Sequence, residues 1–137
     1  GMSNIDEIKN AYHCIKKYND NIALLHCVSA YPTDETDSNI SAIFNLKENF
    51  KDCIIGESDH TNDIDVPAFC VSAGAQILEK HFKIDESMEC VDSPVSITEL
   101  QLKNLVTQTR RIEKIMGSSE LHTRECEKGS LIYRRKS

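Results

Sequence analysis

The hydrophobic pattern along the chain changes period several times, and each change marks an element. Ile5, Ile8, Tyr12 and Ile15 recur at helical spacing behind Ser3, with Asp6 three residues on in the manner of a capping box, so the chain is predicted to open on an amphipathic helix. The polar run Tyr18-Asn19-Asp20-Asn21 ends that pattern, and the apolar stretch Ile22-Ala23-Leu24-Leu25 reads as a buried strand. A polar, acidic loop then reaches Ser38, after which Ile40, Ile43 and Phe44 predict a second helix with these three turned inward.

The cycle repeats. Cys53-Ile54-Ile55-Gly56 reads as a second strand, and Pro67 falls in the first turn of a short helix through Ala73 that Gly74 closes in the left-handed conformation. Gln76-Ile77-Leu78-Glu79 is a third, shorter strand, followed by a long acidic loop that closes at Pro94. Ser96 and Glu99 offer a further capping box, and Leu102, Leu105, Val106, Ile112 and Met116 mark the longest helix, which Gly117 ends. From Ser118 the chain is polar up to Arg134-Arg135-Lys136-Ser137, and reads as a linker over residues 118–137 behind a folded portion over 1–117.

Helices alternating with strands imply a parallel α/β sheet with right-handed crossovers, the organisation of doubly wound sheets and (β/α) barrels. Three strands close neither. An open three-stranded sheet leaves two bare edges and one poorly covered face, so a partner is expected: another chain, a second copy or a further segment.

Composition narrows the classes. With 137 residues, 39% of them hydrophobic, the chain can build one modest core. Sixteen Lys and Arg against 22 Asp and Glu give a formal charge of −6, and no basic stripe is present to meet phosphates, so nucleic acid is not expected as a partner. No apolar run has the length of a membrane span and no export signal is evident, so a cytoplasmic protein with six reduced cysteines is expected, none of them in a CxxC pair.

Parallel α/β folds gather their chemistry at the carboxyl ends of the strands. That rim is expected to hold His26, Ser29 and Tyr31 from the first strand, Ser58, Asp59 and His60 from the second, and Glu79 and His81 from the third. Neutral imidazoles of His60 and His81, from adjacent strands, are suited to share one divalent ion with positions left for water and substrate. Each histidine alone reads more readily as a structural residue than as a ligand, the pair raises the ligand reading, and His26 reads better as a packed, hydrogen-bonded histidine. Glu79, two residues before His81, points to the same side of the pleat and is suited to act as a base or to orient a metal-bound water, while Asp59 and Asp92 read as loop acids.

Three segments in order, His26-Cys27-Val28-Ser29-Ala30-Tyr31-Pro32, Glu57-Ser58-Asp59-His60-Thr61 and Glu79-Lys80-His81-Phe82, resemble the sialic acid synthase family, which includes N-acetylneuraminate, legionaminate and pseudaminate synthases. The resemblance runs from Gly1-Met2-Ser3 to Arg134-Arg135. It implies the last three or so strand–helix units of a (β/α)₈ TIM barrel enzyme that condenses phosphoenolpyruvate with an N-acyl-mannosamine-type amino sugar, releasing phosphate. It further implies His60 and His81 as ligands of a divalent metal, manganese first, with magnesium or cobalt as alternatives. By the same likeness Ser29 and Ser58 would contact phosphoenolpyruvate and Tyr31 the sugar. Glu79 would serve at the metal's water shell or the reacting centre, and Asp92 would act on the sugar hydroxyls as a catalytic and substrate-binding residue.

Two departures accompany the likeness. Ser29 stands where some relatives have Asn, and Cys90-Val91-Asp92-Ser93 replaces a Gly-Pro-Asp-His type of loop, which leaves the particular sugar open. Nothing here resembles the family's first five strands, with their phosphoenolpyruvate-binding lysines, or its antifreeze-like carboxyl-terminal domain. The expectation is therefore an enzyme portion nearly inactive alone, completed by a polypeptide carrying the other strands or by self-association. The alternatives are a non-catalytic remnant that binds metal or a sugar phosphate, and a small metal-dependent hydrolase.

Overall fold

The structure is a computed structural model that describes residues 1–134; the last three residues of the basic tail, Arg135, Lys136 and Ser137, lie outside the described residues. Seven main elements follow in the order α1 (Ile5–Lys16), β1 (Ala23–Cys27), α2 (Ala42–Asn49), β2 (Ile54–Asp59), α3 (Asp65–Ala73), β3 (Ile77–Lys80) and α4 (Glu99–Met116). Short 3₁₀ turns lie at Glu35–Asp37 and Ser93–Val95, and a longer 3₁₀ segment, Glu125–Tyr133, runs exposed through what the sequence reads as plain linker. Among the described residues no helix is long and apolar enough to cross a membrane.

The caps differ in detail from expectation. The amino terminus of α1 is capped by Asn4, not Ser3: its Oδ1 accepts from the amides of Asp6 and Glu7 at 3.0 Å each, and Glu7 Oε2 accepts from the Asn4 amide at 2.8 Å. At α4 the box is Thr98 with Gln101, whose Oε1 accepts from the Thr98 amide at 2.8 Å. Ser96 turns back instead and donates to the Asp92 carbonyl at 2.7 Å, because two residues outside the helix its hydroxyl meets the preceding 3₁₀ turn. Gly74 closes α3 as expected, with φ 101°.

The three strands form one sheet in the order β1-β2-β3, all parallel, with Cys27 opposite Ser58 and Ser58 opposite Glu79. Alternation along the pleat divides the strands into two faces. Leu24, Ile55 and Leu78 face the helices and join Ile43, Leu46, Phe50, Cys70, Ala73 and Ala75 in the principal core, against which Ile5, Ile8 and Tyr12 of α1 also pack. Ala68, Ile97 and Leu105 form a second cluster where α3 meets α4.

Among the described residues no helix covers the other face of the sheet. Here Ile54 is 47% and Ile77 37% exposed, while their neighbour Ile55 on the covered face is 3% exposed. The strands approach closely at Gly56, where an added Cβ would lie 2.6 Å from the Ile77 carbonyl oxygen. One helical reading is corrected. Phe44 points outward from α2, because Ile43 and Leu46 occupy the buried side of that short helix. In α4 only Leu105 is buried and Ile112 half-buried, and Leu102, Val106 and Met116 are exposed beside Phe44 along an open groove of about 830 Å³.

Candidate functional site

The ladder between β2 and β3 ends at the pair Asp59 and Lys80, and the next residue of each chain segment is a histidine. His60 and His81 therefore stand side by side at the carboxyl end of the sheet, their ring centroids 5.3 Å apart and their planes inclined at 61°. Tyr31, from the loop after β1, stacks on His60 at 4.0 Å and meets His81 edge-on at 5.8 Å.

A backbone carbonyl orients one of the two rings, and an acid stands near the other. His60 is buried, and its Nδ1 lies 2.8 Å from the Val28 carbonyl. A carbonyl only accepts, so in the neutral ring Nδ1 carries the proton and Nε2 keeps its lone pair. The backbone carbonyl of His60 also accepts from the Thr33 amide at 2.9 Å, which ties β2 to the loop after β1. His81 Nδ1 lies 3.6 Å from Asp92 Oδ2, and the His81 carbonyl accepts from the Ile97 amide at 2.9 Å.

Below the histidines, on the bare face, Ser58 Oγ donates to Glu79 Oε1 at 2.7 Å. Cys27 completes that row across the sheet, with its Sγ 3.9 Å from His60 Nδ1. Ser29 stands apart from these bonds: it is exposed, beside Gly1, where an added Cβ would lie 2.2 Å from its hydroxyl.

Two residues expected on the rim turn away from it. Asp59 alternates with Ser58 and His60 and so points into the helix side, where it is 2% exposed and pairs with Lys80 at 2.5 Å. His26 likewise faces the helices, its Nε2 2.9 Å from the Ser38 carbonyl, in keeping with a structural histidine. The same side holds Glu57, which is 2% exposed and whose Oε2 has no hydrogen-bonding partner. Burial, with a further contribution from the neighbouring Asp59 charge, pushes its carboxyl up to about 8. Residue-type reasoning missed Glu57, Cys27 and the Asp59–Lys80 pair; counting alternate positions back from His60 and His81 sorts them.

Two imidazoles at this spacing suit a shared divalent ion: with metal–nitrogen bonds of about 2.1 Å and ligand angles near 90–110°, the ring centroids come roughly 4.5–5.5 Å apart. Among the described residues no group of three or more His, Cys, Asp or Glu side chains gathers as a closed metal site. An ion held by these two imidazoles alone would keep coordination positions open for further ligands.

The fold and the sequence match known proteins. A sequence model of the NeuB family matches residues 1–121. The chain is 37% identical over 140 residues to an N,N'-diacetyllegionaminic acid synthase from Campylobacter jejuni, covering 100% of this chain and 42% of the relative. It is 33% identical over 127 residues to the human N-acetylneuraminate-9-phosphate synthase, covering 93% of this chain and 35% of the relative. The crystal structure of an N-acetylneuraminic acid (sialic acid) synthetase from Leptospira borgpetersenii, in complex with citrate, superimposes with a TM-score of 0.93 at 40% identity, over 98% of this chain and 47% of that one. The chain thus spans less than half the length of these relatives, and its parallel α/β unit matches part of their barrel, as the family resemblance led one to expect.

Proposed function

Because the chain belongs to the NeuB family of sialic and related nonulosonic acid synthases, we propose that it supplies the metal-binding corner of a phosphoenolpyruvate-dependent condensation on an N-acyl-mannosamine-type sugar. The observation that carries this reading is the convergence of His60, His81 and Tyr31 within 6 Å of one another at the open end of the sheet. His60 and His81 would hold the divalent cation, manganese first and magnesium or cobalt as alternatives, with the Val28 carbonyl orienting the His60 ring and Asp92 standing near His81. When bound, the ion supplies Lewis-acid polarisation of the sugar's aldehyde oxygen.

The chain's own side chains do the rest of this corner's work. Ser58, its hydroxyl donating to Glu79, positions the phosphoenolpyruvate beside the bare face, with Ser29 contacting the same substrate from the loop after β1. Glu79, exposed on that face and bonded through one oxygen, keeps its other oxygen for the proton of a water at the reacting centre. Asp92 is close enough to His81 to serve both the imidazole and a sugar hydroxyl, and Tyr31 bounds the sugar pocket while shielding His60. The folded unit spans 1–117, with residues 118–137 as the polar connection, and the reaction belongs to an assembly that brings further phosphate-binding charge to the bare face.

Calorimetric titration with Mn²⁺ of the chain and of a His60→Ala, His81→Ala variant tests the reading, together with phosphate release from phosphoenolpyruvate plus N-acetylmannosamine. Binding that depends on both histidines supports it, and absence of binding in both forms sinks it. The uncovered apolar positions Ile54 and Ile77 favour a second reading, a self-associating module without turnover. Sedimentation that shows a discrete oligomer with no metal binding and no phosphate release would select that one.

A further inference from the structure

The two histidines stand beyond the last hydrogen-bonded pair of their strands, and the ladder itself therefore does not set their separation. Their backbone carbonyls are tied to different places, His60 to Thr33 and His81 to Ile97. What bridges the two strands at this level is on the opposite side of the sheet. Lys80, the residue before His81, directs its Nζ to Asp59 Oδ2 at 2.5 Å and also donates to the Thr61 carbonyl. Asp59 and Thr61 flank His60, so one ammonium group brackets one histidine while its own backbone carries the other. Thr61 Oγ1 donates to the same Asp59 oxygen at 2.8 Å and locks the carboxylate in place.

The side chains of Lys80 and Asp59 are 4% and 2% exposed, in a region that a pair of apolar residues could have filled. A buried ion pair is a poor means of adding stability, because desolvating both charges opposes their attraction, yet it is directional and register-specific. We propose that the Asp59–Lys80 pair, with Thr61, is the device that sets the spacing of His60 and His81, which makes Asp59 and Lys80 positioning residues for the divalent ion. The proposal rests on the reading of the two histidines as ligands, and its own tether can be examined without any metal.

An Asp59→Asn, Lys80→Met double variant removes both charges at once and leaves no unpaired ion in the core. In the metal-free chain, nuclear Overhauser contacts between the His60 and His81 ring protons are expected to weaken or vanish in this variant, while the thermal midpoint stays within a few degrees. Mn²⁺ affinity by calorimetry is expected to fall at least tenfold, the size usual for partners that orient metal ligands. Unchanged ring contacts and unchanged affinity in a folded double variant would overturn the proposal. Should the double variant not fold, Thr61→Val, which removes only the bond that holds the carboxylate, decides: a severalfold weaker affinity supports the tether and an unaltered one refutes it. If Mn²⁺ binding survives His60→Ala, His81→Ala, the ligand reading fails, and the ring contacts still report on the tether by themselves.

Discussion

Ser58 and Glu79 face each other across the β2–β3 register, and the serine hydroxyl donates to the carboxylate at 2.7 Å on the side of the sheet that no helix covers. The bond orients a hydroxyl and occupies one carboxylate oxygen without burying either group. Such a pair adds little to folding, because water can replace each partner. Ser58→Ala is expected to leave urea-unfolding stability within about 1 kcal/mol and, on the proposed role of Ser58, to weaken phosphoenolpyruvate binding roughly tenfold, the equivalent of about 1.4 kcal/mol. Calorimetric titration with phosphoenolpyruvate beside a urea melt checks both halves.

A contrast is expected on the other side of the same strands. Lys80→Met alone leaves Asp59 charged and buried, and should cost about 3–5 kcal/mol of stability. Removing Lys16, whose partners Asp20 and Asp52 are exposed, should barely move the melt. Parallel denaturant titrations of the two variants separate a buried ion pair from a surface one.

Glu57 should give the fold a distinctive response to pH. Its folded carboxyl titrates at about 8 against an ordinary value of 4.5, so between those pH values the folded chain holds a proton that the unfolded chain has released. Stability is then greatest at the acid end of this window, falls as pH rises towards 8, and levels off above. Glu57→Gln, which cannot ionise, is expected to flatten this decline. Urea midpoints measured from pH 5 to pH 8.5 on both proteins give the test, and a decline that persists unaltered in the variant would remove Glu57 as its source.

Adjacent residues of β2 should respond unequally to truncation. Ile55→Ala opens a hole in the helix-covered core and is expected to cost about 2–5 kcal/mol. Ile54→Ala, on the uncovered face, should cost about 1 kcal/mol or less. A similar loss at both positions would mean that the face carrying Ile54 is covered in solution, and sedimentation would then identify an oligomer.

Much of this arrangement was legible from residue order, and the failures share a cause. Apolar runs and Gly74 located the three strands and α3, because each signal is local: a continuous buried stretch, or a backbone angle only glycine adopts easily. His60 and His81 were legible as neighbours because strand ends in a parallel sheet converge. The direction of Asp59 was misread, although the alternation that puts His60 on one side puts Asp59 on the other. Phe44 was misread for a different reason. Helical period marks an apolar stripe, but which part of a wide stripe is covered depends on the neighbouring helices, and here Ile43, Leu46 and Leu105 take the contacts. Alternation puts Glu57 on the same side as Asp59, but its near-complete burial arises from the packing of α3 onto β2, which residue order does not announce.

The segment that carries Asp92 leaves and rejoins the fold at one point. Ile97 donates to the His81 carbonyl at 2.9 Å and accepts from the Lys83 amide at 3.0 Å, so residues 84–96 form a loop whose two ends are already pinned together. Lengthening such a loop adds little closure entropy, about 0.6 kcal/mol per doubling. The stretch thereby behaves as an exchangeable cassette: its length and side chains can be rewritten while the backbone of His81 beside it keeps its place.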